Sequence, residues 1–299
     1  MGAACDNPTV TKSPPATDPV DGAHLTAASR PSPPIYRYAP AAPLADLIGR
    51  YWLPVWSVPE PSTQRTLQHP ACLIVISNTY ARCYGVARGL SQVTLTGDGW
   101  AVGVMLRPAG GRVVFDRTGD ELVDASFDLA DLTTLDGSTL TAAVHAAMSD
   151  APHAEASHRA AIAAYEAALA SFVPVDDQGL LLNAVIDWLR DHAEVTRVAE
   201  VADAFGIGER ALQRLVTARL GLSPKWLIQR RRLHDAVAEL KAGARSLADV
   251  AAELGYADQA HFTNDFRTVT GVTPGEYRAD QPSDGEASKA EAGESGAAG

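Results

Sequence analysis

Arg210, Gln213 and Arg214 stand within one helical turn of each other. About fifty residues on, Gln259, Thr263 and Asn264 form a second polar set of similar spacing. Residues three and four apart share one face of a helix. Arg, Gln and Asn are the side chains that make paired hydrogen bonds to base edges in the DNA major groove. The chemistry these spacings imply is recognition of double-stranded DNA rather than catalysis.

The elements that must position them are legible on either side. Val198, Val201, Ala202 and Phe205 fall at i, i+3, i+4 and i+7, as do Leu247, Val250, Ala251 and Leu254. That spacing predicts two amphipathic helices. Gly206 and Gly255 follow them, where a tight turn at positive φ favours glycine. A second helix then turns Leu212 and Val216, or Phe262 and Phe266, inward and leaves the polar set outside. Each copy closes on a matching phrase, Gly221-Leu-Ser223-Pro224 and Gly271-Val-Thr273-Pro274. Ser223 and Thr273 are N-caps with proline at the first helical position.

One such copy reads equally well as an ordinary pair of packed helices. Two in register read as a duplicated helix-turn-helix, whose second helix enters the groove. Between them Ser223 to Lys241 reads as one continuous helix ended at Ala242-Gly243. Ser246 starts the next helix, with Asp249 as a capping-box variant. The long helix is a spacer able to set two recognition helices roughly 34 Å apart, one turn of DNA. Lys225, Arg230, Arg231 and Arg232 on it are candidates for phosphate contact; a solvated face or internal ion pairs is the alternative.

Residues from about 180 to 278 resemble the DNA-binding domain of the AraC/XylS family of bacterial transcriptional regulators. The resemblance rests on Leu212-Gln213-Arg214-Leu215, Gly221-Leu-Ser-Pro224, Arg232-Leu233 with Ala236, Val250-Ala251 with Gly255-Tyr256, His261-Phe262 with Phe266, and Gly271-x-Thr-Pro274 with Tyr277-Arg278. It implies two helix-turn-helix units reading adjacent major-groove segments. It places Arg210, Gln213 and Arg214 in the first, and Gln259, His261, Thr263 and Asn264 in the second. Arg267 on the same helix completes the DNA-binding candidates. It also leaves RNA polymerase open as a partner, and an activator's role. Gly208 stands where the family usually has a serine cap, and Asn264 where it usually has arginine. Glu209 suits a helix N-terminus but repels a nearby phosphate. The first copy is therefore expected to contribute more affinity than the second.

Formal net charge over the 299 residues is −11, which at first argues against nucleic acid. Residues 178–278 hold about 13 basic and about 13 acidic side chains, so the acid excess lies elsewhere, including the 279–299 tail. DNA affinity should then come from local basic patches and be sensitive to salt. Cys5, Cys72 and Cys83 form no metal-binding or disulfide pattern and fit a reducing cytoplasm. No run of residues is apolar enough to span a membrane, and residues 1–33 lack a signal-peptide core.

The middle of the chain reads as mainly β. Leu73–Ser77, Arg82–Val86, Gln92–Leu95 and Trp100–Arg107 are strand-like, with Ala41–Trp52 as a short helix leading in. Trp52, Trp56, Tyr80, Tyr84 and Trp100 are either core aromatics or the lining of an apolar pocket. Tyr51-Trp52 and Leu106-Arg107-Pro108-x-Gly110-Gly111 resemble a less-characterised variety of the sensor or dimerisation domains found in that family. Ala-rich helices follow near 138–149 and 153–172. His69, His145, His153 and His158 have no metal-ligand spacing. Nucleophile-elbow and phosphate-loop motifs are missing from the sequence. No catalytic residue, metal or cofactor is assigned.

The expected fold class is α+β: an N-terminal mainly β sandwich or barrel-like domain, an α-helical connector, and a C-terminal all-α tandem helix-turn-helix joined by a long helix. The expected division is a disordered 1–33, a β effector or dimerisation domain at 34–136, a connector at 137–175, an AraC-type DNA-binding domain at 178–278, and a disordered acidic tail at 279–299. Double-stranded DNA is the expected partner. A small-molecule effector and a second copy of the chain are left open. A catalytic N-terminal domain fused to a DNA reader, and an effector-independent architectural binder, are the alternatives.

Overall fold

A computed structural model describes Leu25 and residues 33–243 and 245–281. The expected tails, 1–33 and 279–299, fall almost wholly outside the described residues. The N-terminal half builds one six-stranded antiparallel sheet from β1 (Ile35–Tyr38), β2 (Ile48–Leu67), β3 (Leu73–Ser77), β4 (Ala81–Tyr84), β5 (Leu90–Leu106) and β6 (Ser126–Asp128). Their spatial order is β1-β2-β5-β3-β4-β6. Period-two alternation gives the sheet two different faces. Tyr51, Leu53, Val55, Ile74, Ile76, Val102 and Val104 enter the main core. Trp52, Trp56, Leu73, Val75, Tyr80, Tyr84 and Ala101 share the other face.

Two sequence expectations are corrected here. Ala41–Trp52 is not a helix: only Ala42–Leu44 forms a short 3-10 turn, and Ile48 already begins β2, a strand of 20 residues. The cross-strand pairing of β2 with β5 overrides the local helical pattern. The strand-like runs at 92–95 and 100–107 are also parts of the single strand β5, which bridges Gly97 and Gly99 without a break. Trp100 leaves the other four aromatics. It lies on the core face, edge-on to His145 at 5.2 Å.

Two short helices, α1 (Gly110–Phe115) and α2 (Gly119–Leu122), sit between β5 and β6. The long pair α3 (Gly137–Met148) and α4 (Glu155–Leu169) covers the core face of the sheet. Tyr165 on α4 donates to the carbonyl of Val102 at 2.9 Å. His145 reaches the carbonyl of Ser77, and His158 the hydroxyl of Tyr38 and the carbonyl of Pro152. These histidines hold connector helices to strands.

The C-terminal region is all-helical: α5 (Asp177–Asp191), α6 (Val198–Ala204), α7 (Glu209–Leu220), α8 (Pro224–Ala242), α9 (Leu247–Glu253), α10 (Gln259–Thr270) and α11 (Pro274–Ala279). Gly206 and Gly255 adopt φ of 61° and 73° in the turns α6–α7 and α9–α10. The Ser223 side chain accepts from the Trp226 amide and that of Thr273 from the Glu276 amide, each before a proline.

The apolar interior is divided within α8. Leu227 and Ile228 belong to one continuous core with the sheet, α3 to α7 and the first helix-turn-helix. Leu233, Ala236, Val237 and Leu240 belong to a second core, built around Phe262, Phe266, Tyr256 and Tyr277.

Candidate nucleic-acid interface

α7 and α10 are the helices the sequence assigns to recognition. On α7, Leu212, Leu215 and Val216 are buried, while Arg210, Gln213, Arg214 and Thr217 are exposed along one stripe. Gln213 Nε2 donates to Thr217 Oγ1 at 2.9 Å, which orients the amide along that stripe. On α10, Phe262 and Phe266 are fully buried, and Gln259, His261, Asn264 and Arg267 are exposed. Thr263 is half-buried. Both helices thus offer several polar side chains to solvent, as a groove-reading helix must.

The two helices begin differently. Gly208 gives α7 no side-chain cap, whereas Asp258 accepts from the His261 amide at 2.7 Å and caps α10. That carboxylate places negative charge at the end a base-reading helix points into the groove. His261 is drawn toward its own helix, with Nε2 3.8 Å from Asp265 and its ring edge-on to Tyr256.

The basic run on α8 behaves otherwise than the sequence suggests. Lys225 is exposed at the start of the helix. Arg230 and Arg231 are 2% and 8% exposed, so the expectation that they meet phosphate is corrected. Arg230 crosses to the sheet domain and donates to the carbonyls of Gln68, Ala87 and Arg88 at 3.1, 3.3 and 2.5 Å. Its guanidinium also lies 4.6 Å from the Trp226 ring. Burial lowers its pKa to about 10, so it remains charged at neutral pH. Arg231 donates to the carbonyls of Ala193 and Val195 and pairs with Asp235. Arg232 stacks on Tyr256 at 3.7 Å. A buried cation must be satisfied, and main-chain carbonyls do this for Arg230 and Arg231.

The sequence did not single out the junction that these contacts form. His69, after β2, stacks on His234 of α8 with ring centroids 4.3 Å apart and planes 4° from parallel. Burial, then His69 and Arg230, hold the His234 pKa well below the usual histidine range. Arg107 pairs with Asp187 of α5 at 2.5 Å, and Arg219 of α7 with Asp176 at 2.5 Å. Arg112 of α1 donates to the carbonyl of Ala218, near the C-terminal end of α7. The first recognition helix is therefore braced by the N-terminal domain. Only the pairing of distant segments reveals this.

Comparison with known proteins agrees with the geometry. A family model described as a helix-turn-helix domain matches residues 201–280. HTH-type transcriptional activator RhaS from Escherichia fergusonii is 37% identical over 98 residues, 32% of this chain and 35% of that one. RhaS from an Enterobacter species is 36% identical over the same shares. The C-terminal domain is an AraC-type helix-turn-helix domain. The chain spans about a third of the length of the curated relatives it matches. Residues 36–128 match a domain of unknown function, DUF6597.

Among solved structures, ToxT from Vibrio cholerae aligns with a TM-score of 0.38 at 11% identity, over 84% of this chain and 98% of that one. The C-terminal domain of AraT from Geobacillus stearothermophilus aligns with a TM-score of 0.32 at 23% identity, over 34% of this chain and 86% of that one. Likeness at these scores is low, and the AraC-type assignment rests on the family match. No described helix is long and apolar enough to cross a membrane.

Proposed function

We propose that this chain is a sequence-specific transcriptional regulator of the AraC type, which reads two adjacent major-groove segments of double-stranded DNA with α7 and α10. The observation that carries the reading is the duplicated geometry itself. Two helix-turn-helix units, each with a positive-φ glycine turn, expose polar faces of the kind that pair with base edges. Arg210, Gln213 and Arg214 read one segment, and Gln259, His261, Thr263, Asn264 and Arg267 read the other. Lys225 is the remaining phosphate candidate on α8. The N-terminal domain modulates this through the junction at Arg230 and His234, by a small-molecule effector or by assembly of two copies. The protein works in the cytoplasm, with RNA polymerase as the partner through which activation would be exerted.

The test is selection of bound fragments from genomic DNA by the purified chain at near-physiological salt. Enrichment of a motif with two blocks about 10 base pairs apart is expected. A chain that enriches no sequence overturns the reading.

A further inference from the structure

The sheet face opposite α3 and α4 opens as a cavity of about 500 Å³, within the usual range for small-molecule sites. Its aromatic wall is built by a device used twice. Trp52 pairs across the sheet with Gly103, and Trp56 with Gly99. A Cβ on Gly103 would fall inside the Trp52 ring system, and one on Gly99 inside that of Trp56. Each indole therefore lies down across its glycine, in the space a side chain would otherwise take. Both tryptophans remain half-buried rather than sealed into a core. Trp56 Nε1 is turned to the Thr96 carbonyl at 3.4 Å.

Tyr80 and Tyr84 also line the cavity. Burial pushes the Tyr80 phenol up to about 12, so it stays neutral. Among the described lining residues the one charged side chain is Asp124, whose carboxylate receives the Arg88 amide and Nε at 2.7 and 2.9 Å. Among the described residues the lining includes no Lys, Arg or His. Ala101 and Val75 contribute small apolar surface beside the rings.

We infer that this cavity binds a flat aromatic small molecule bearing no negative charge, and holds an organic cation most tightly. Four aromatic rings offer stacking surfaces, and the negative faces of their π systems attract a delocalised cation. An anion would meet those same faces, and the cations nearest the rim, Arg82 and Arg88, already face Asp128 and Asp124. The inference deepens the effector part of the proposed function and rests on it for its regulatory meaning. Binding itself is independent of DNA.

The experiment titrates the full chain, without DNA, with three tricyclic probes: N-methylacridinium, uncharged acridone and 9-anthracenecarboxylate. Calorimetry and thermal melting are the readouts. Saturable one-to-one binding of N-methylacridinium with a raised Tm is expected, with acridone weaker and the carboxylate weakest. Trp56→Leu should weaken N-methylacridinium at least tenfold. Ala101→Leu, which adds bulk at the cavity wall without removing a ring, should do the same and covers the case in which the tryptophan variant fails to fold. Carboxylate binding as tight as the cation, no binding of either other probe, or unchanged affinity in Ala101→Leu overturns the inference. A chain that selects DNA but binds no probe overturns this inference alone. A chain that binds N-methylacridinium but selects no DNA overturns the regulator reading alone.

Discussion

Gly119 and Gly221 meet backbone to backbone. A Cβ on either would overlap main-chain atoms of the other, and Gly221 also holds φ of 68° as the C-cap of α7. This contact seats α2 of the N-terminal domain against the end of the first recognition helix. Gly119→Ala should destabilise the chain by roughly 1–3 kcal/mol, the usual cost of forcing atoms into packed space. Gly275→Ala is the control, since among the described residues its added carbon would meet only Leu247 Cδ1, at 3.8 Å. Thermal melting of both variants decides the matter; equal Tm values would dismiss the contact as unimportant.

Arg210→Ala should weaken operator binding by about 1–3 kcal/mol, the range for losing a base-reading contact. Asn264→Ala should cost less, because α10 carries an acidic cap at Asp258 and Asp265 beside His261. Affinities of both variants for the selected operator, measured in one buffer, check the order. The reverse order would overturn the expectation that the first unit contributes more.

Lys225 and Arg230 should separate cleanly in salt. Lys225→Ala is expected to reduce the slope of log affinity against log salt by about one, as loss of a phosphate contact does. Arg230→Met should leave that slope unchanged. It should instead lower the unfolding midpoint, because three carbonyls lose their donor inside the domain junction. A reduced slope in Arg230→Met would show that the arginine leaves the junction to meet DNA.

His234 gives the junction a predictable pH response. Its folded pKa is depressed, so below about 6.5 the unfolded chain takes up a proton that the folded chain refuses. Stability at this site is full above that value. It falls as pH drops toward the folded pKa, by up to about 1.4 kcal/mol per pH unit. The capping carboxylates Asp136, Glu200 and Glu276, whose pKa values are lowered, lose their contribution in a lower window, below about 4.5. Urea midpoints at pH 7.5, 6.5 and 5.5 should therefore fall in the native chain and fall less in His234→Phe. Parallel trends would remove His234 from the account.

The C-terminal helices were legible because their signals are local. The periodic apolar positions, the glycines at 206 and 255, and the caps at Ser223 and Thr273 each act within a few residues. β2 was not legible: Pro54, Pro59 and Pro61 argue against a strand, and its register with β5 slips between Val58 and Ser62. The four cavity aromatics could be named, but not separated from Trp100, because one residue of register decides which face each occupies. Arg230 and Arg231 looked like solvated cations because their carbonyl partners lie far away or belong to turns. The Trp–Gly pairs needed the strand pairing itself.

The division of the interior within α8, between Ile228 and Leu233, bears on how such a chain can be rebuilt. Cutting before α5, at the expected boundary between connector and DNA-binding domain, would strip the first unit of apolar neighbours such as Ala109 and Val114. A graft at the middle of α8 would carry the second unit across with most of its own interior. The portable piece is thus half of the DNA reader. Chimaeras joined there should exchange recognition of one half of an operator while leaving the other half, and its attachment to the sheet domain, as they were.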